Sequence, residues 1–178
     1  MNESSILIEP IIDGQPHNSA VQAKAFQFAL KITNRSNSPS DPFTISSVVI
    51  TSAQGQNIND NFSGKSFSVG VINPEESTII EVGKNGQLMF GLVTVTVIIT
   101  PSNVARPVTV LQRNPFTGSV CPIGNNHWVD FFYLKSSNED LQEKTNKLLV
   151  ILTLIIAASA LLTALPILRN IYNTFGPR

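Results

Sequence analysis

Residues 25–33, AFQFALKIT, carry a large apolar side chain at every second position, from Phe26 to Ile32. A period of two residues is typical of a β-strand that buries one face, because successive side chains point to opposite faces of a sheet. The alternation predicts an inward face formed by Phe26, Phe28, Leu30 and Ile32. Gln27, Lys31 and Thr33 then face outward, so the stretch indicates a sheet with one buried face.

Similar short runs follow and precede this strand, and Gly, Pro, Asn and Ser separate them. The runs are rich in Val, Ile, Phe and Thr, which favour strands, and they show hardly any helical periodicity. The further predicted strands are residues 5–9, 43–51, 67–72, 78–82, 88–100, 108–112 and 128–134. About eight strands within residues 1–135 predict an all-β, immunoglobulin-like sandwich of two sheets.

Two turns are predicted between these strands. In residues 73–76, NPEE, proline presets the φ angle at the second position of a β-turn. In residues 84–87, KNGQ, the Asn-Gly pair tolerates the positive φ angles of a two-residue hairpin turn. We therefore expect residues 78–82 and 88–100 to form a hairpin of adjacent antiparallel strands.

Residues 148–168, LLVILTLIIAASALLTALPIL, form a run of 21 residues without a charge. At about 1.5 Å per residue, a helix of this length spans the roughly 30 Å hydrocarbon layer of a membrane. The hydroxyl groups of Thr153, Ser159 and Thr163 can bond back to the helix backbone. The sequence therefore predicts a single C-terminal transmembrane α-helix after the sandwich, followed by a short tail, residues 169–178.

Residues 136–147, SSNEDLQEKTNK, form a polar stalk between the predicted sandwich and the predicted span. Acidic and basic side chains three and four positions apart permit ion pairs along a helix. The stalk is therefore either a continuation of the membrane helix beyond the bilayer or a short solvated segment with no partner of its own.

The side of the membrane that carries the sandwich is left open by two opposing indications. Residues 1–12 lack the basic start and long apolar stretch of a secretory signal peptide, which favours a cytoplasmic domain. All 12 acidic residues precede the span, and the tail carries Arg169 and Arg178 without an acid, which favours a tail on the inner side. We take the cytoplasmic placement as the expectation.

The overall composition argues against several classes of function. Twelve Lys and Arg balance twelve Asp and Glu, so the chain lacks the concentrated positive charge with which proteins bind nucleic acids. One cysteine and two histidines leave little for a metal cage or an acid–base relay. We expect no enzymatic activity, no metal or other cofactor and no nucleic-acid partner.

Cys121 and His127 are the one pair that invites a comparison with blue-copper sandwiches. Such a site needs two histidines, a cysteine and usually a methionine, and His17 and Met89 do not adjoin the pair in sequence. The sequence therefore predicts an inert cysteine and a loop histidine. A tethered copper or redox domain remains an alternative.

Three asparagines, Asn2, Asn34 and Asn61, fit the N-x-[ST] pattern of glycosylation acceptors. The Asn, Ser and Thr content of the chain yields about three such triplets by chance. The pattern matters only if the sandwich lies outside the cytoplasm, and the sequence does not decide whether any of the three is modified.

Three segments of the sandwich resemble the immunoglobulin-like CARDB domains of prokaryotic surface proteins. They are FALKITNRSNSPSDPF at 28–43, VGVINPEEST at 69–78 and GLVTVTVIITP at 91–101. The resemblance covers residues 22–103 and implies a binding, spacing or adhesion module without catalysis. The layout is also similar to that of the tail-anchored major-sperm-protein-domain family, but the basic peptide-binding strand and the long coiled-coil stalk of that family are missing.

Two groups of residues are candidates for binding other proteins. The predicted membrane helix carries a stripe of small residues, which lets helix backbones approach closely in lipid, at Thr153, Ala157, Ala160 and Ala164. The end of the sandwich carries an aromatic cluster at Trp128, Phe131, Phe132 and Tyr133. The competing interpretation of this cluster places Phe131 and Tyr133, which share one face, in the core.

These patterns together predict a non-catalytic accessory or structural subunit of a membrane protein complex. The sandwich would supply an interaction surface, and the helix would anchor the chain in the lipid bilayer and dock against other membrane-protein subunits. The alternative is a free-standing membrane-tethered module that binds a ligand or another cell surface.

Overall fold

The structure, a computed structural model, describes residues 4–16, 19–52, 62, 64–86, 90–114 and 117–175. Predictions that concern Asn2, His17, Asn61, Met89 and Arg178 therefore lie outside the described residues. The chain divides into two compact units, Met1–Ser137 and Asn138–Arg178.

The first unit is built of β-strands, eleven of them within its described part. They are β1 (Ser4–Ile12), β2 (Gln15–Pro16), β3 (Ala20–Val21), β4 (Ala25–Asn34), β5 (Phe43–Ser52), β6 (Phe67–Val69), β7 (Ser77–Gly86), β8 (Gly91–Pro101), β9 (Val108–Arg113), β10 (Val120–Asn125) and β11 (His127–Lys135).

These strands form two sheets. The first, called the β1 sheet here, has the order β10-β9-β1-β4-β7, with β2 also paired to β1. The second, called the β8 sheet, has the order β3-β11-β8-β5-β6. Most neighbouring strands are antiparallel, and the pairs β1–β9 and β3–β11 are parallel. The predicted all-β sandwich of two sheets is confirmed.

The core lies between the sheets and follows the predicted alternation of β4. Phe28, Leu30 and Ile32 are fully buried, while Lys31 between them is partly exposed. The β8 sheet contributes Phe132, whose ring lies 5.8 Å from that of Phe26 and 6.1 Å from that of Phe28. These aromatic contacts join the two sheets across the core.

The eight predicted strands are all present, and three further strands are found. β2 and β3 are only two residues long, too short for alternation to reveal. β10 contains Pro122 and Gly124, which weaken a strand, and it pairs with β9 across a register shift at these two residues. An edge strand with a bulge tolerates both residues, because one side of its backbone needs no partner strand.

The predicted hairpin around Asn85-Gly86 is wrong. Asn85 and Gly86 belong to the end of β7, where they pair with Phe26 and Ala25 of β4 in the β1 sheet. β8 lies in the other sheet, between β11 and β5. The chain therefore changes sheet between β7 and β8 instead of turning back on itself.

Asn126 forms a corner at which the chain passes from β10 to β11 and from one sheet to the other. Its backbone has a φ angle of 61°, a left-handed conformation that asparagine tolerates better than most residues. Its N–H donates to Val108 O at 2.9 Å, and its carbonyl accepts from Ile99 N at 2.8 Å. Its side-chain oxygen accepts from Val108 N at 2.9 Å. One residue thus joins β9 of the β1 sheet to β8 of the β8 sheet.

The second unit is formed by one helix, α1 (Ser137–Phe175), of 39 residues. Its first turn carries Glu139 and Asp140, where acidic side chains favour the helix dipole. Ion pairs four residues apart join Asp140 to Lys144 at 2.8 Å and Glu143 to Lys147 at 2.7 Å. The polar stalk is thus helical from Ser137 onward and continues without a break into the apolar run.

Candidate interaction surfaces

The apolar part of α1 is long enough to cross a membrane. Within the candidate span, Ser137–Pro166, a window of 18 residues has a mean hydropathy of 2.7, and none of these 18 residues is buried. Eleven Leu, Ile and Val side chains between Leu148 and Leu165 are each more than half exposed.

The hydroxyl groups of the span are satisfied by the helix itself. Thr153 Oγ1 donates to Leu149 O at 2.8 Å, and Ser159 Oγ donates to Ile155 O at 2.8 Å. Thr163 Oγ1 donates to Ala160 O at 2.9 Å. Since unpaired polar groups are costly in hydrocarbon, this arrangement suits a helix surrounded by lipid.

The predicted stripe of small residues lies within α1. Positions four, three and four apart fall close to one line along a helix, so Thr153, Ala157, Ala160 and Ala164 share one face. All four are exposed, and the Thr153 hydroxyl bonds back to the helix. A stripe of small side chains lets another helix approach closely, and we call this stripe the groove.

The predicted aromatic cluster is divided between the two faces of β11. Trp128 is fully buried and Phe132 is 5% exposed, so both belong to the core. Phe131 is 53% exposed and Tyr133 is 42% exposed. The interpretation of Phe131 and Tyr133 as core residues is therefore wrong, and Trp128 and Phe132 do not reach the surface proposed for them.

Phe131 and Tyr133 belong to a larger outward face of the β8 sheet, which we call the neutral face. Strand pairing places Tyr133 beside Leu92, Phe131 beside Thr94, and Val129 beside Thr96. The neutral face consists of the eleven outward positions Ser47, Val49, Thr51, Leu92, Thr94, Thr96, Ile98, His127, Val129, Phe131 and Tyr133. None of them is Asp, Glu, Lys or Arg.

Leu92 and Ile98 were missed as surface residues by the sequence analysis. Leu92 is 51% exposed and Ile98 is 46% exposed. The alternation of Val93, Val95 and Val97 with threonines did indicate that β8 has an outward face. It gave no indication that Leu92 would lie beside Tyr133, or Ile98 beside His127, because those contacts depend on which strands are neighbours.

Cys121 and His127 lie on two successive strands of the sandwich. Cys121 is exposed on β10, with its Sγ 3.9 Å from Gln112 O, and His127 begins β11. Among the residues that the structure describes, no group of three or more His, Cys, Asp and Glu side chains could hold a metal ion.

Asn34, one of the three possible glycosylation acceptors, is fully buried. Its Nδ2 atom donates to Ser38 O and to Ile72 O, both at 2.8 Å, and its Oδ1 accepts from Ser36 N at 2.9 Å. Nδ2 is the atom that would carry a glycan. The folded sandwich therefore excludes modification of Asn34, which instead ties the loop after β4 to the segment before β7.

Two solved structures that are similar to this chain are CARDB domains. The crystal structure of the CARDB domain of the PF1109 protein from Pyrococcus furiosus, in complex with di-metal ions, has 10% identity and a TM-score of 0.44, covering 77% of this chain and 98% of that one. The solution structure of the same domain has 12% identity and a TM-score of 0.42, covering 76% and 98%. No family model and no curated protein matches the sequence.

Proposed function

We propose that the protein is a non-catalytic accessory or structural subunit of a membrane protein complex. The sandwich supplies an interaction surface, and α1 anchors the chain and docks against membrane helices of other subunits. The observation that carries the proposal is the apolar part of α1, whose side chains are exposed throughout its described length.

The energetic cost of leaving this surface in water is large. Full burial of one Leu, Ile or Val side chain is worth about 1.5–3 kcal/mol. Eleven such side chains on α1 are more than half exposed, so water contact costs on the order of 10 kcal/mol. That figure is comparable to the whole stability of a typical domain. A bilayer removes this cost.

The docking part of the proposal depends on the stripe of small residues. Lipid tails are as apolar as leucine, so helices in a membrane associate through close packing and not through the hydrophobic effect. Ala157 and Ala160 let a second backbone approach, and the Thr153 hydroxyl costs nothing because it is already bonded within α1. A helix that served only as an anchor would need no such groove.

A double substitution in the groove tests the docking. Ala157→Phe with Ala160→Phe fills the groove, and we expect partner subunits to be lost when the membrane is extracted in mild detergent. The matched control is Ile155→Phe with Leu162→Phe, which enlarges the opposite side of the helix. Equal retention of partners in both double variants would refute the docking.

A free-standing membrane-tethered binding module is the second candidate function. The observation that favours it is the exposure of Phe131 and Tyr133 on the neutral face, because exposed aromatic side chains are common at binding surfaces. Such a module would migrate in detergent without other subunits and would bind its ligand through the sandwich alone.

A further inference from the structure

The edges of the two sheets differ in the length of backbone that they leave unpaired. The strands at the ends of the sheets are β10 and β7 in the β1 sheet, and β3 and β6 in the β8 sheet. β3 has two residues, β6 has three and β10 has six. β7 has ten, and among the described strands it pairs with β4 alone. β7 is therefore the longest edge strand in the described part of the sandwich.

The edges on the other side of the sandwich carry features that hinder the addition of a strand. β10 contains Pro122, which has no N–H, and its register shifts between Pro122 and Gly124. β3 covers only the last two residues of β11. Before them, the N–H of Phe131 donates to Oδ1 of Asp130 at 2.8 Å. Short edge strands, proline and bulges are the usual means by which proteins prevent pairing between sheet edges.

The backbone groups of β7 alternate between β4 and the open side of the sheet. Asn34 N donates to Glu76 O at 3.0 Å, which fixes the phase of the ladder between β4 and β7. In an antiparallel pair, every second residue bonds to the partner strand and the residues between them direct their N–H and C=O groups away from it. Ser77, Ile79 and Glu81 therefore direct these groups away from β4.

The part of β7 that is available for pairing is Ser77–Glu81, which we call the open edge. Its register with β4 is regular, and the shift in this ladder lies beyond it, between Phe28 and Ala29. Further along β7, a Cβ at Gly83 would lie only 3.3 Å from the ring of Phe62, so that part of the strand is covered. Five residues span roughly 17 Å, which is the length of an ordinary strand.

The side chains of the open edge indicate the chemistry of a strand that would pair with it. Ile79, at its centre, is 59% exposed and favours a β-branched or aromatic neighbour across the pair. Glu81, at its end, is exposed and favours a basic neighbour. Ile80 packs against the core and is only partly buried, so the inward side of an added strand would meet apolar surface. The open edge therefore suits an extended, largely apolar segment with Lys or Arg beside Glu81.

This requirement favours a different protein over a second copy of the chain. In a two-fold antiparallel pairing of two open edges centred on Ile79, Glu81 would lie opposite Ser77. The open edge itself, STIIE, contains no Lys or Arg. A second open edge therefore cannot supply the basic neighbour of Glu81.

We propose that the open edge of β7 binds an extended segment of a partner subunit, which adds to the β1 sheet as a further strand. Backbone hydrogen bonds supply the affinity in this mode of recognition, and alternate side chains supply the specificity. The inference rests on the proposed function, because that function supplies the partner subunit. It names the part of the sandwich that holds this subunit.

Amide hydrogen exchange of the unmodified chain, in the complex extracted with mild detergent, tests the pairing directly. Val120 on β10 is the internal reference. The bond from Asn114 N to Ser119 O directs the Val120 N–H away from β9, so it also faces an open side. We expect the amides of Ile79 and Glu81 to exchange at least about tenfold more slowly than that of Val120, after correction for intrinsic rates. Equal protection of the three amides would overturn the inference.

A pair of proline substitutions tests the dependence of the complex on this edge. Ile79→Pro removes an N–H that β4 does not use, and an edge strand tolerates proline at such a position. We expect the amount of partner subunit recovered with the chain to fall about tenfold or more. Val120→Pro makes the same change at the opposite edge of the same sheet and should retain the partner. Equal recovery in the two variants would refute the pairing, and heat unfolding checks that both remain folded.

The composition of the extracted complex separates this inference from the proposed function. A chain that migrates without other subunits would refute the proposed function itself. A complex that contains other subunits but leaves Ile79 and Glu81 unprotected would refute only the pairing at the open edge. Protection of these amides in a complex that contains this chain alone would identify a second copy as the occupant and contradict the assignment to a different protein.

Discussion

The two outward faces of the sandwich arise from the same alternation and differ in chemistry. On the β1 sheet, Glu9 forms an ion pair with Arg113 at 3.0 Å, and the outward Leu7 is fully buried. On the β8 sheet, the neutral face has no charged position, and Phe131 and Leu92 are half exposed. The β1 sheet thus balances charges on its outward side, whereas we propose the neutral face as a surface that contacts another protein.

The largest expected loss of stability follows from a substitution on the inward side of β11, and the outward side should be much less sensitive. Phe132→Ala removes a side chain that is 5% exposed and contacts Phe26 and Phe28, so the free energy of unfolding should fall by about 3–5 kcal/mol. Phe131→Ala, on the neutral face, should lower it by less than about 1 kcal/mol. Denaturant unfolding measures both changes, and equal losses would show that the two faces of β11 are not distinct.

The next largest loss of stability is expected in β7, which forms an edge of the β1 sheet. Gly83 has a φ angle of 142°, and a Cβ there would lie 3.3 Å from Cε1 of Phe62. Gly83→Ala should therefore destabilise the sandwich by about 1–3 kcal/mol. Gly70→Ala is the matched control, because a Cβ at Gly70 meets open space and its φ angle is not positive. Similar melting temperatures for the two variants would contradict the strain at Gly83.

The smallest loss of stability is expected for the ion pair between Glu9 and Arg113, on the outward side of the β1 sheet. Arg113→Gln removes the partner of Glu9 from a partly exposed site, and exposed ion pairs contribute about 1 kcal/mol or less. We expect a loss of this size in unfolding experiments at low salt, and a smaller loss at high salt, since salt screens the pair. A loss of several kcal/mol, unaffected by salt, would mean that this face depends on its charges for folding.

The inward face of β4 could be predicted from the sequence, and that of β11 could not. In β4, large apolar side chains occupy only one of the two sets of alternating positions, so Phe28 and Lys31 fall on different faces by alternation alone. In β11, large apolar side chains occupy both sets of alternating positions. Trp128 and Phe132 belong to one set, and Phe131 belongs to the other. Only the packing of the two sheets against each other decides which of these two sets of β11 side chains is buried.

The failed hairpin has a related cause. Asn85-Gly86 is a local turn signal, but whether β7 continues past it depends on its pairing with β4, which lies more than fifty residues earlier in the chain. The outward contact of Leu92 with Tyr133 is likewise set by strand order. Sequence periodicity predicts where strands lie and which of their faces is buried. The sheet to which a strand belongs depends on contacts between residues far apart in the chain.

Extraction of the native membrane in mild detergent, followed by size separation and mass spectrometry, tests the proposed subunit role. We expect the chain to migrate with other membrane proteins at a fixed ratio, well above the size of a 19.3 kDa monomer in a micelle. Migration alone as a single chain, or recovery of the chain without any detergent, would contradict it.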